Sequence, residues 1–345
     1  ETLEVLSEND VKYTILAPSQ AKRFRRIGNK DWTDGIDSRR PYTCHLPNDK
    51  SIILFFYDGM RSQEVAFKGV LNDGKEFAER VTDNFSNDDH IELSHIATDG
   101  ESYGHHHKNG DMALAFCMRY IEEKKLAKIT NYSEYISLCE IDHEVEIHEN
   151  SSWSCAHGVE RWRDNCGCNS GMNPGWHQEW RKPLRESLNW LRDTLKEVYT
   201  EKMSNYGVDP WLLRNLYIEV LFNRNKENID FFVQKYIPKD LSDKEKTRII
   251  RLLEMQRQCL YMFTSCAWFF DEISGIETTQ VLQYANRAIQ LAYDVSRVRY
   301  DKEFRERLES IPTNLKQFKN GKEIYDNYVS PKRLSLTQVG MHYAV

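Results

Sequence analysis

The amino-acid sequence predicts an α/β unit followed by an all-α unit, and three observations carry that expectation. Short apolar runs that end in polar residues alternate with helical spacing up to residue 148. From residue 179 onward long stretches of helical periodicity take over, and strand signals become few. The 345 residues also amount to about twice the ~150 usual for one domain.

The chain opens on the end of a helix containing Leu3, Val5 and Leu6, which leads into a strand at 11–17 stopped by Pro18. A second apolar strand at 51–57 ends in Asp58-Gly59, and helical spacing follows at 64–70 and 74–85. A third strand is expected at 90–98, running directly into Asp99. Residues 111–125 read as an amphipathic helix with Met112, Ala115, Phe116 and Tyr120 as its apolar positions. Strand, loop and helix in this order are the pattern of a parallel α/β unit, whose ligands meet the carboxyl ends of strands. The four long helices are expected at 179–203, 210–225, 244–263 and 278–297. The expected units are therefore an α/β part at 1–148, a Trp/Cys/Gly-rich connector at 149–178 and a helical domain at 179–345.

Composition narrows the function. Hydrophobic residues at 40% and charged residues at 29% suit a globular chain with a real core. A net charge of −6 argues against a phosphate-tracking surface, so nucleic acid is not an expected partner. No apolar run approaches the length that crosses a bilayer, so no membrane partner is expected either. The eight cysteines are spread along the chain without a signal peptide, which points to reduced thiols and a cytoplasmic protein. The 8 Trp and 18 Tyr supply flat rings able to stack on sugars.

Three segments carry candidate chemistry. The first is TDGESYGHHH (98–107), where Gly100 and Gly104 free the backbone of a loop holding Asp99, Glu101 and the histidines His105, His106 and His107. Two carboxylates beside imidazoles suit acid/base chemistry. A simpler reading has Asp99 capping the next helix, and a third places zinc on the histidines, although helical zinc ligands usually lie three or four residues apart. The second segment is ENSSWSCAHGVERWR (149–163), continuing to CGC (166–168) and Trp176. Trp153, His157, Arg161 and Trp176 can form a sugar-binding wall by stacking and hydrogen bonding, or can be structural packing. Cys155, His157, Cys166 and Cys168 are all zinc-ligand types, but the CxC spacing departs from the usual gap of two to four residues, and no metal is assigned. The third segment is MFTSCAWFFDEISGIE (262–277), a hinge between long helices. Its pair Asp271-Glu272 faces either solvent or a polar cleft, since burying two carboxylates without partners is costly.

At these three segments the chain resembles the family 57 glycoside hydrolases, in the subgroup joined to the domain of unknown function 3536. The resemblance runs essentially end to end. It implies an incomplete (β/α)7 barrel followed by a helical bundle that closes over the active site, and a retaining mechanism on α-glucans. The first segment is similar to the family's fourth conserved region, which makes Asp99 the general acid/base, with Glu101, His105 and His106 beside the substrate. The third is similar to a Trp/Phe-rich stretch of α-glucan enzymes, which makes Trp268, Phe270, Asp271 and Glu272 cleft residues. Two carboxylates suffice for this chemistry, so no cofactor is implied, and the partner is an oligo- or polysaccharide.

The family's nucleophilic Glu and its early histidine motif have no counterpart among these residues. The expectation is thus a fragment truncated at both ends, the closing residues 339–345 included, and inactive alone. Two other classes stand beside the hydrolase or glucanotransferase: a non-catalytic carbohydrate-binding protein, and a metal-dependent hydrolase built on the His/Cys clusters.

Overall fold

The computed structural model describes residues 1–344 apart from 48, 87–89, 239, 334 and 335. The chain divides into two compact units, Glu1–Ser154 and Cys155–Val345, so residues 149–154 of the expected connector fold with the first unit and its remainder with the second.

The first unit holds a six-stranded sheet. Its strands are β1 (Tyr13–Leu16), β2 (Ala21–Arg26), β3 (Thr33–Asp34), β4 (Tyr42–His45), β5 (Ser51–Phe56) and β6 (His143–Ile147), in spatial order β1-β5-β4-β6-β2-β3. Strand β5 lies inside the sheet and is buried on both faces. Ile52, Leu54 and Phe56 join Leu3, Tyr42 and Val145 on one side, while Phe55 meets Leu93 and Tyr135 on the other, which is why its sequence is an unbroken apolar run. The register of β2 on β6 is reinforced by cross-strand ion pairs, Arg23 with Glu146 at 2.8 Å and Arg25 with Glu144 at 2.7 Å.

The sheet and its expected third strand both differ from the sequence reading. The sheet is mixed: β1 with β5 and β4 with β6 are parallel, whereas β4 with β5, β2 with β6 and β2 with β3 are antiparallel. Residues 90–98 form no strand of the sheet. Scattered bonds hold the segment instead: the Leu93 N–H donates to the Arg39 carbonyl at 2.8 Å, the Asp58 N–H to the His95 carbonyl at 3.0 Å and the Ala97 N–H to the Ser62 hydroxyl at 3.0 Å, while the His95 ring bridges the Ser38 carbonyl and the Tyr132 hydroxyl at 3.0 and 2.9 Å. Burial holds the His95 imidazole below its ordinary pKa.

Helices α1 (Thr2–Glu8), α2 (Gly59–Phe67), α3 (Gly74–Thr82), α4 (Gly110–Lys124) and α5 (Tyr132–Leu138) complete the unit. The buried stripe of α4 is Gly110, Ala113, Cys117 and Ile121, packed with Val65, Leu71 and Phe77. Met112 and Phe116, read from the sequence as its apolar face, are 66% and 41% exposed. Two apolar stripes run along this helix, and periodicity alone does not choose between them.

The second unit is helical: α6 (Arg181–Ser204), α7 (Pro210–Leu216), α8 (Ile218–Phe222), α9 (Lys226–Tyr236), α10 (Asp243–Tyr261), α11 (Ile276–Ser296), α12 (Asp301–Leu308), α13 (Gly321–Ile324) and α14 (Leu336–Ala344). Leu184, Leu188, Leu191 and Leu195 form the buried stripe of α6, against Ile249, Leu252 and Leu253 of α10 and Val281, Ala285 and Ala292 of α11. Ser242 and Glu245 form a capping box that starts α10. The helix expected at 210–225 is two, because the chain turns at Tyr217, whose hydroxyl donates to Glu254 at 2.6 Å. The expected end at 339–345 lies in α14 up to Ala344, and Val345 is outside the described residues. Among the described residues no helix is long and apolar enough to cross a membrane.

Candidate functional site

The Asp99 segment is a turn stapled from several sides. Gly100–Ser102 forms one 3₁₀ turn, closed by the Ser102 N–H on the Asp99 carbonyl at 3.0 Å and the Tyr103 N–H on the Gly100 carbonyl at 3.2 Å. The Thr98 hydroxyl donates to the Tyr103 hydroxyl at 3.0 Å. The N–H groups of His105 and His106 both reach the Glu101 carbonyl, at 3.1 and 2.8 Å. The His107 ring is spent on structure, with Nε2 against the Ala66 carbonyl at 2.8 Å.

This scaffold leaves Asp99, Glu101, His105 and His106 exposed. Among the described residues no group hydrogen-bonds the Asp99 carboxylate, and its side chain does not cap the turn that it begins. Helical capping, the simpler reading of Asp99, is therefore not its use here. The arrangement is a free carboxylate on a fixed backbone, with a second carboxylate two residues away.

Gly110, the first residue of α4, is what lets the helix close on this turn. A Cβ at that position would lie 2.9 Å from the Ser102 carbonyl oxygen and 3.2 Å from Tyr103 Cα, both backbone atoms. Gly110→Ala is expected to cost about 1–3 kcal/mol through forced backbone shifts, read as a lowered thermal midpoint. An unchanged midpoint would mean that the turn yields freely and does not hold Asp99 in place.

In the second unit the structure brings together Cys155, His157, Cys166 and Cys168, whose ligand atoms all lie within 4.8 Å of one another. Sγ of Cys155 is 3.8 Å from Sγ of both Cys166 and Cys168, and Cys168 Sγ is 3.5 Å from His157 Nδ1. Burial pushes the Cys155 thiol up, but the backbone N–H groups of Arg161 and His157 and the neighbouring thiols outweigh it, so its pKa lies below the ordinary value. Burial also pushes the Cys166 thiol up, and there it prevails. These four are the group of side chains able to ligate a metal among the described residues, and His157 is its exposed member.

Several predicted cleft residues are interior. Trp268 is fully buried and stacks on Trp180 with centroids 5.7 Å apart and planes 14° from parallel. Arg161 is 8% exposed; its guanidinium lies over the Phe269 ring and donates to the Phe269 carbonyl at 3.3 Å. Asp271 accepts from the Ser170 N–H and hydroxyl at 2.9 and 2.5 Å and from Gln178 at 3.3 Å. Glu272 accepts from the Thr313 hydroxyl at 2.6 Å and the Asn314 N–H at 2.7 Å. The acidic pair thus faces neither solvent nor a cleft. It pins two irregular segments to the hinge, and these partners meet the cost of burial. Trp153 at 59% and Phe270 at 44% remain exposed, and Trp176 is half-buried.

Sequence reasoning missed Arg181, which is fully buried at the start of α6 and donates to the Cys168 and Trp268 carbonyls at 2.7 and 3.0 Å. The signal is its spacing: Arg181 continues the stripe of Leu184, Leu188 and Leu191, a charge where the pattern asks for an apolar side chain. In the first unit, a surface cavity of about 530 Å³ lined by Arg26, Arg40, His90, Asp142 and His143, among others, includes none of the predicted site residues. Arg40 there is held by Asp37 at 3.1 Å.

Comparison with known proteins agrees with this architecture. Residues 176–345 match the family described as domain of unknown function 3536. No curated protein matches the sequence. Among solved structures, the chain is similar to an exo-type maltose-forming amylase from Pyrococcus sp. ST04, with a TM-score of 0.66 at 15% identity over 89% of this chain and 56% of that one. It is also similar to a 4-alpha-glucanotransferase from Thermococcus litoralis, with a TM-score of 0.43 at 14% identity over 83% of this chain and 40% of that one. The chain therefore spans about half the length of these enzymes. The chain thus carries the domain of unknown function 3536 at residues 176–345, and its fold is similar to that of the maltose-forming amylase.

Proposed function

We propose that the chain is the Asp99-bearing part of a retaining glycoside hydrolase or glucanotransferase that acts on α-glucans. The observation that carries this reading is the exposed, unpartnered Asp99 carboxylate on a stapled turn, in a chain whose fold is that of a maltose-forming amylase. Asp99 acts as general acid, protonating the glycosidic oxygen as the bond to the anomeric carbon breaks, and then as general base toward water or an acceptor sugar. A Glu forms the covalent glycosyl intermediate in such a mechanism, and no residue of this chain is assigned that role. Glu101, His105 and His106 line the approach to Asp99, and the exposed ring of Trp153 in the same unit is a candidate stacking surface for sugar. The first unit belongs to an incomplete (β/α)7 barrel, the second is its helical companion, and the unpaired thiols suit the cytoplasm.

Stereochemistry tests this reading. The whole protein is given maltooligosaccharides, and the first-formed product is followed by proton NMR before it mutarotates. The expected product is the α-anomer, by hydrolysis or transfer. A β-anomer would overturn the retaining mechanism, and tight binding with no turnover would support a carbohydrate-binding protein in its place.

A further inference from the structure

We propose that Cys155, His157, Cys166 and Cys168 form a structural zinc site that ties the beginning of the second unit to α6. The distances select the metal. A tetrahedral zinc with bonds of about 2.3 Å to sulfur and about 2.05 Å to nitrogen has sulfur–sulfur edges of about 3.8 Å and sulfur–nitrogen edges of about 3.5 Å. The protein places Cys155 Sγ 3.8 Å from Cys166 Sγ and from Cys168 Sγ, and Cys168 Sγ 3.5 Å from His157 Nδ1. A disulfide between any two of these would need sulfurs about 2.0 Å apart. Three thiolates and one imidazole at single-ion spacing are a closed zinc set, whereas the common iron–sulfur clusters take four cysteines. The remaining separations, all within 4.8 Å, close by small side-chain rotations.

A second observation, independent of the ligands, is Arg181. Its guanidinium is fully buried, and among the described residues no carboxylate lies within ion-pair distance of it. A buried charge of this kind calls for a counter-charge. One of its nitrogens is directed at Cys166 Sγ at 3.8 Å, and the same nitrogen donates to the Cys168 carbonyl at 2.7 Å. Zinc binding releases three protons, one from each thiol, and gives a centre of charge −1, from +2 on the ion and −1 on each thiolate. Arg181 then neutralises that centre from its outer side, as outer-shell donors do around zinc thiolates. The backbone N–H groups of His157 and Arg161 point at Cys155 and add further donors.

The chain path explains how a spacing unlike the usual zinc motifs converges. The 3₁₀ turn Glu160–Trp162 reverses the chain between the first two ligands and the CGC pair. Gly167, with φ of +79°, turns the backbone between Cys166 and Cys168, a conformation that any other residue would hold under strain. With four protein ligands there is no open position for water or substrate. The site is therefore structural, and the metal-dependent hydrolase reading of these residues does not follow from it. Its role is to fix an irregular segment that has little regular secondary structure of its own.

The test uses the chain purified under reducing conditions without added chelator. About one zinc per chain is expected by plasma mass spectrometry, and exchange with cobalt(II) alone should give the intense visible bands of a tetrahedral thiolate site. Cys155→Ser and Cys168→Ser should each lower bound zinc at least about tenfold, while Cys266→Ser, at an exposed thiol outside the cluster, should keep it in full. In case the serine variants fold poorly, thiol alkylation of the unaltered protein gives a separate readout. Cys155, Cys166 and Cys168 should be protected until a chelator is added and then react, while Cys266 reacts throughout. The proposal is overturned if the folded protein holds no stoichiometric metal and alkylates at all three cysteines without chelator. It is equally overturned if mass spectrometry finds a Cys155–Cys166 disulfide in protein kept reduced.

Discussion

Replacing Asp99 by Asn in the whole protein is expected to lower kcat on maltooligosaccharides by about 10²–10⁴-fold, the usual contribution of a positioned general acid. That corresponds to about 3–5 kcal/mol of lost transition-state stabilisation. KM should move much less, because the exposed carboxylate is exchanged for an isosteric amide on a backbone that the turn already holds. Two further readouts separate acid/base chemistry from a general disturbance of the loop. Substrates with activated aryl leaving groups need no protonation, so their glycosylation step should be nearly spared. The second step, which lacks its base, should be rescued by azide, an anion that needs no deprotonation. Full activity of the Asn variant would remove Asp99 from the mechanism, and loss without azide rescue would make it a residue of the fold.

Trp268→Ala is expected to destabilise the second unit by about 3–5 kcal/mol, the range for deleting a buried aromatic and leaving a cavity. The side chain is fully buried against Trp180, so both the transfer energy and the ring stacking are lost. For a unit of this size that corresponds to a fall in thermal midpoint on the order of 10 °C. Trp268→Phe keeps part of the packing and should cost much less. Had Trp268 been an exposed platform for sugar, as the resemblance to α-glucan enzymes implies, the Ala variant would keep its midpoint and lose affinity for maltooligosaccharides. That pattern would overturn the interior placement.

Trp153 and Phe270 are each exposed in their own unit, whereas Trp268, Arg161, Asp271 and Glu272 are interior. The argument that buried carboxylates are costly holds only when they lack partners. Ser170, Gln178, Thr313 and Asn314 supply those partners from 93 to 101 residues before and about 41 residues after the acidic pair. No local pattern announces donors at such separations. The Asp99 turn, by contrast, draws most of its bonds from residues within ten positions of itself, so a polar glycine-containing loop at that place is legible from local sequence.

The features legible from residue order alone are local ones. The long helices at 181–204, 243–261 and 276–296 follow from apolar residues repeating every three to four positions. The doubly buried strand β5 follows from an unbroken apolar run. The polar loop at Asp99 follows from glycines and charges between two such elements. Tertiary structure decided what depends on long-range convergence: the mixed sheet, the buried face of α4, the interior fate of Trp268 and the acidic pair, and the meeting of Cys155, His157, Cys166 and Cys168 beside Arg181. The physical reason is that periodicity records which side of an element is dry. Partners for buried charges and ligands are instead chosen by whichever distant segments the fold brings within bonding distance.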